Sequence, residues 1–232
     1  MKTVLDKGFV DLMASMADDL TVVNAARVSF ATRKEVMELS DERLIGFLMR
    51  ERHTSPFEHA VFRFHVRAPI FVVREWQRHR MASYNEQSGR YSKFEDLFYV
   101  PDFVRSQVGK PGAYSFVPLD PGTTADVQDI ISIHNHMSYQ MYLDLMDAGV
   151  AKEQARLVLP NTLYTEFWFT VNLHSLMNFL TLRNSEHAMY EIREYAKALE
   201  EAFAEQMPVT YAAFKRYTWH VIDEEDDLDT PR

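Results

Sequence analysis

The chain of 232 residues contains no cysteine. That absence excludes disulfides and thiolate metal sites, and it closes any chemistry that needs a cysteine nucleophile. No apolar run approaches the roughly eighteen residues of a membrane-spanning helix. The N-terminal stretch, with Asp6, Asp11, Asp18 and Asp19, has no apolar segment of the signal-peptide kind. Sustained repeats, low-complexity tracts, a GxGxxG fingerprint and a P-loop are missing as well. What remains is a globular protein expected in the cytoplasm, with no membrane partner.

Hydrophobic residues make up 47% of the chain and charged residues 25%, ordinary values for a chain able to bury a sizeable core. The net charge of −9 argues against a nucleic-acid binder, but the charge is unevenly placed. Residues 223–232 carry six acids and one arginine with no apolar pattern, and read as an unstructured acidic tail to a single domain over 1–222. Residues 74–93 run the other way, with Arg74, Arg78, Arg80, Arg90 and Lys93 against Glu75 and Glu86. A basic island in an acidic chain suits a compact anionic ligand; a solvated, ion-paired helix face is the plainer alternative.

Residues 60–67 alternate apolar and polar side chains, as do 164–173, and each predicts a strand followed directly by a helix, over 70–79 and 175–182. A further strand is expected over 10–16. Helices are expected over 20–28 behind an Asp18 or Asp19 cap, 40–52, 126–148 ending at Gly149, 152–159, 186–206 and 208–218. Pro111, Gly112, Pro118, Pro121 and Gly122 make 107–124 read as a surface loop. The pattern implies an α+β fold, an antiparallel sheet packed with several helices.

The stretch from Arg78 to Tyr91, RHRMASYNEQSGRY, has no hydrophobic periodicity and concentrates arginine, serine, asparagine and glutamate. It resembles the RHRxxSxNExSxRY signature of the flavin-dependent thymidylate synthases, the ThyX family, at every fixed position. Leu182-Arg183-Asn184-Ser185-Glu186-His187-Ala188 resembles that family's second block, with Met189 where glutamine is usual. The resemblance covers nearly the whole chain, about residues 8–217.

It implies FAD as cofactor, gripped by Arg78, His79 and Arg80, whose arginine forks suit a pyrophosphate. Ser55, in the family's HxTPFEH-like segment, Glu86, Asn172, His174 and Asn178 match further flavin contacts. His174 stands where relatives often carry arginine. The substrate dUMP is implied to meet Glu75, Trp76, Gln77, Arg78, Glu86, Gln87, Ser88, Gly89, Arg90, Arg156 and Arg183. Glu75 stands where many relatives have glutamine, and Arg156 lies in the segment resembling AR-x-VLP. Asn172 and Asn178 are expected to be buried amides needing partners. A homotetramer with sites shared between subunits is also implied. No metal is expected: His53 and His59 lack a zincin spacing, and His134 and His136 point to different helix faces.

The reaction so implied is reductive methylation of dUMP to dTMP, with 5,10-methylenetetrahydrofolate as one-carbon donor and NADPH as reductant. Arg183 is the expected catalytic side chain. Its guanidinium stays charged and can stabilise negative charge developing on a uracil ring. His187 could be a ligand or a capping residue. Two rival readings are a nucleotide sensor without turnover, and a hydrolase pairing Ser88 with His79; the latter lacks a G-x-S-x-G elbow.

Overall fold

The computed structural model describes residues 1–110 and 113–217, so the expected acidic tail over 223–232 lies outside the described residues. In chain order the elements are β1 (Lys2–Val4), β2 (Gly8–Met16), α1 (Asp19–Arg27), α2 (Leu39–Arg50), β3 (Val61–Pro69), α3 (Ile70–Trp76) and β4 (Ser83–Glu86). There follow β5 (Arg105–Lys110), β6 (Ala113–Pro118), α4 (Pro121–Asp147), α5 (Lys152–Ala155), β7 (Tyr164–Asn172), α6 (Leu173–Arg183), α7 (Tyr190–Gln206) and α8 (Pro208–Tyr217). Five strands form one sheet in the order β1-β2-β3-β7-β4, and β5 pairs with β6 separately. β1 runs antiparallel to β2, with Lys2 opposite Val10 and Val4 opposite Gly8. The α+β class with an antiparallel sheet and several helices is as the sequence predicts. No helix among the described residues is long and apolar enough to cross a membrane.

Helix starts follow their capping chemistry. Asp18 accepts from the Thr21 N–H at 2.6 Å and opens α1. The Asn172 side chain accepts from the Ser175 N–H at 2.8 Å, so α6 begins as β7 ends. Asp120 caps α4 by accepting from the Thr123 N–H at 3.0 Å, with Pro121 at the first helical position. Gly149 adopts φ +85°, a left-handed conformation that glycine tolerates, and ends that helix as expected.

Within the expected loop over 107–124 the described residues instead form the end of β5, all of β6 and the first turn of α4; β5 and β6 pair antiparallel, Arg105 with Pro118 and Lys110 with Ala113. Both strands are exposed along most of their length, so no half-buried alternation marks them. Strand β4 lies inside the signature, where no strand was expected. It is a sheet-edge strand of four residues with largely exposed side chains, so no buried face imposes a period of two.

The chain divides into two compact units, each assembled from separated segments. The first comprises Met1–Asp11, His65–Arg78 and Tyr84–Trp168. Phe94, Phe98, Tyr142, Ala155 and Leu163 form one buried cluster there. Trp76, fully buried, meets Phe167 edge-on at 5.2 Å. The second comprises Leu12–Phe64, His79–Ser83 and the chain from Phe169 on. Its core is aromatic: Phe64 lies 5.9 Å from Phe62 and 6.2 Å from Phe169, and Phe203 packs on Phe62 and Phe214. Each such ring, fully buried, contributes about 1.5–3 kcal/mol.

Candidate active site

In the first unit the signature leaves β4 and turns at once. The Gln87 N–H donates to the Glu166 carbonyl at 2.8 Å, extending the pairing with β7 by one residue. The Ser88 carbonyl then accepts from the Tyr91 and Ser92 N–H groups, each at 3.1 Å, and the Arg90 N–H donates to the Ser88 hydroxyl at 3.3 Å. Gly89 is buried at the centre of this turn. A Cβ there would lie 2.3 Å from Phe94 Cε2 and 3.1 Å from Arg156 Cδ. The glycine therefore lets the turn close onto the Phe94 ring and the Arg156 stem.

That closure shapes a cavity of about 320 Å³ whose polar lining is Glu86, Gln87, Ser88 and Arg156, and whose apolar walls are Ile70, Phe94, Leu159 and Leu163. A few convergent polar groups on apolar walls are the usual make-up of a small-molecule site. Arg156 arrives from the short turn after α5, where its Nε donates to the Glu153 carbonyl at 3.3 Å. Gln77 Nε2 donates to Glu86 Oε2 at 3.2 Å. Arg90 is not among the lining residues; its Nε meets Glu153 Oε2 at 3.0 Å in an exposed pair. Trp76 lies between Glu75 and Gln77 at the end of α3. Its ring is fully buried in the core, while Glu75 is half-buried and Gln77 exposed. Next to it, burial pushes the Tyr84 phenol up, and its hydroxyl donates to the Trp76 carbonyl at 3.3 Å. Arg78 ends the His65–Arg78 segment of this unit as an exposed side chain just beyond α3.

The second unit holds His79, Arg80, Ser55, Asn172, His174, Asn178 and Arg183. Arg183 Nε donates to His79 Nε2 at 3.0 Å, joining residues 104 apart in sequence. His79 thus presents its Nε2 lone pair to the guanidinium, and its ring leans on Phe179 with centroids 4.6 Å apart. Arg183 is the last residue of α6, where a cation complements the helix dipole. Asn184 behind it donates from Nδ2 to the largely buried Glu200 carboxylate, which also accepts from Tyr211 and Lys215.

Ser55 opens a tight helical turn, Ser55–His59, anchored by buried Pro56 and Phe57, and its own side chain faces outward. The Leu173 N–H donates to the Ala60 carbonyl at 2.8 Å, which ties the start of α6 to the end of that turn. Glu58 Oε1 and His174 Nδ1 lie 3.4 Å apart across the junction. Glu58 escaped the sequence reading although it sits within the HTSPFEH segment. The expectation of two buried amides is corrected: Asn172 is half-buried and spends its carbonyl on the helix cap, and Asn178 is exposed. Asn178 lies one turn beyond His174, on the same helix face.

The family model described as thymidylate synthase complementing protein matches residues 11–209 of the chain. A flavin-dependent thymidylate synthase from Thermotoga neapolitana is 52% identical over 220 residues, covering 93% of this chain and 94% of the relative. One from Thermus thermophilus is 46% identical over 215 residues, covering 92% of this chain and 78% of the relative. Among solved structures, the UMP/dUMP methylase PolB of Streptomyces cacaoi bound with 5-Br dUMP superposes with a TM-score of 0.85 at 41% identity, covering 94% of this chain and 98% of that one.

Proposed function

The chain belongs to the thymidylate synthase complementing protein family, and from that premise we propose that it is a flavin-dependent thymidylate synthase, methylating dUMP to dTMP. The observation that carries this reading is the cavity of about 320 Å³ that gathers Glu86, Gln87, Ser88 and Arg156 around one apolar wall. The one-carbon donor in this proposal is 5,10-methylenetetrahydrofolate, and NADPH supplies reducing power.

The residues fit a flavin dinucleotide. The exposed Ser55 hydroxyl, Arg80 guanidinium and Asn178 amide offer donors of the kind that phosphates and ring heteroatoms take. Ser55, Arg78, His79, Arg80, Glu86, Asn172, His174 and Asn178 would hold it. When bound, FAD supplies the reducing equivalents that the methylation requires.

The chain's own part is binding and charge. Glu86, Gln87 and Ser88 orient dUMP against the Ile70 and Phe94 walls, and Arg156 neutralises its anionic end. Glu75, Trp76, Gln77, Arg78, Gly89 and Arg90 complete that grip. Arg183 places a permanent positive charge where the uracil ring develops negative charge. With no cysteine in the chain, no thiolate can add to C6 of the pyrimidine, so ring activation falls to electrostatics. Shared sites in a homotetramer are part of the proposal. A stripe of exposed apolar residues on α4, Ile130, Ile133, Met137 and Met141, supports it, because their helical spacing makes one face that a partner subunit would cover. A cytoplasmic location goes with these substrates.

The test uses two variants of the purified yellow protein. Arg183→Ala should keep its flavin and lose nearly all dTMP formation. Arg78→Ala should lose flavin occupancy. Full turnover in the first, or undiminished flavin in the second, would refute those assignments.

A further inference from the structure

We propose that Thr165 is a positioning residue for Glu86, its hydroxyl setting the carboxylate in the orientation that receives dUMP. The inference rests on reading the cavity beside Glu86 as the dUMP site. Thr165 lies on β7 with only 1% of its surface exposed. A hydroxyl buried to that extent needs a partner, and this one finds Glu86 Oε1 at 3.0 Å. An ionised carboxylate can only accept, so the threonine donates.

Glu86 is otherwise a mobile kind of side chain. It is exposed, at the last residue of an edge strand, with three rotatable bonds. Its second oxygen accepts from Gln77 Nε2 at 3.2 Å, but Gln77 is itself exposed just beyond the end of α3. Thr165 is therefore the fixed arm of the clamp.

The strand around Thr165 is held firmly. The carbonyl of its neighbour Glu166 accepts from the Gln87 N–H at 2.8 Å, which sets β4 against β7 in register. The Glu166 carboxylate is in turn held by Arg67 Nε at 2.8 Å and by His65 Nε2 at 2.9 Å, both on β3. A donor on so constrained a strand leaves the carboxylate little freedom to lose when the nucleotide arrives, which is how preorganisation raises affinity.

Hydroxyl and packing can be separated at this position. Thr165→Val keeps the β-branched shape and removes the donor. Thr165→Ser keeps the donor and removes a buried methyl. With flavin-loaded protein, Thr165→Val should raise the KM for dUMP about tenfold, as expected for a hydrogen bond to a charged group. Its kcat should change by less than about twofold, and its melting temperature should stay near that of the parent. Thr165→Ser should melt lower yet restore KM to within about threefold of the parent. A residue that only packs would give the reverse ranking, with valine harmless and serine impaired. Wild-type KM in Thr165→Val would overturn the proposal while leaving the thymidylate synthase reading intact. Failure of the parent protein to bind dUMP or form dTMP would overturn both.

Discussion

Replacing Gly89 by alanine should damage both stability and nucleotide binding, and the reason is local. The new Cβ would sit 2.3 Å from Phe94 Cε2 and 2.9 Å from Cζ. Ordinary van der Waals contact starts about 1 Å farther out, so something must move. The ring has little room to do so. Phe94 is buried, its N–H donates to the Tyr142 hydroxyl at 3.3 Å, and its carbonyl accepts from the Tyr139 hydroxyl at 3.1 Å. Overpacking of this type costs about 1–3 kcal/mol. For a chain of this size that corresponds to a fall in melting temperature of roughly 2–12 °C. Because the same turn carries Ser88 and presses on Arg156, dUMP affinity should fall as well. Thermal melts with and without dUMP, followed by calorimetric titration, measure both effects. Phe94→Leu in the Gly89→Ala background should recover part of each loss, since leucine lacks the two ring atoms in conflict. An alanine variant with parental melting temperature and affinity would refute the steric argument.

Further perturbations address other contacts. Asp19→Ala removes the acceptor of the Val209 and Thr210 N–H groups, at 3.1 and 2.7 Å, and should cost about 1–2 kcal/mol through loss of the α8 cap, read as a lower urea midpoint. Glu200→Gln should bring the Tyr211 phenol down: burial first, then the Glu200 carboxylate, has it pushed up to about 12, and an ultraviolet titration reads the change. Burial alone would raise the Asp41 carboxyl, but Lys34, Arg27 and the Glu38 N–H outweigh it and hold the group below its ordinary value of 3.8. A depressed carboxylate contributes stability that is complete above that value and fades as pH falls through the lower folded one, so Asp41→Asn should flatten the acid limb of a stability profile below about pH 4. Ile133→Glu should reduce the assembled mass by native mass spectrometry if the α4 stripe is a subunit contact.

The sequence made some parts of this molecule plain and hid others for physical reasons. Residues 60–67 and 164–173 alternate because each strand has one face on a packed core, as Phe62, Phe64, Phe167 and Phe169 show. β4, β5 and β6 bury too little to leave such a trace, and the prolines and glycines of 111–122 favour a loop reading. The signature residues were legible as a group because their polarity is contiguous. That the Trp76 ring is buried was not legible in the sequence, because burial depends on Phe167, 91 residues away. The bond between His79 and Arg183 spans 104 residues, which no spacing rule reaches. Thr165 gave no signal at all, since a threonine in a strand is ordinary until its partner is known.

The most direct test of the account is a single-turnover experiment on flavin-loaded protein reduced with NADPH, then mixed with dUMP and methylenetetrahydrofolate without oxygen. The account predicts dTMP and tetrahydrofolate, with return of the oxidised flavin spectrum, from a chain that has no cysteine. Bound dUMP and reduced flavin with no dTMP formed would contradict it.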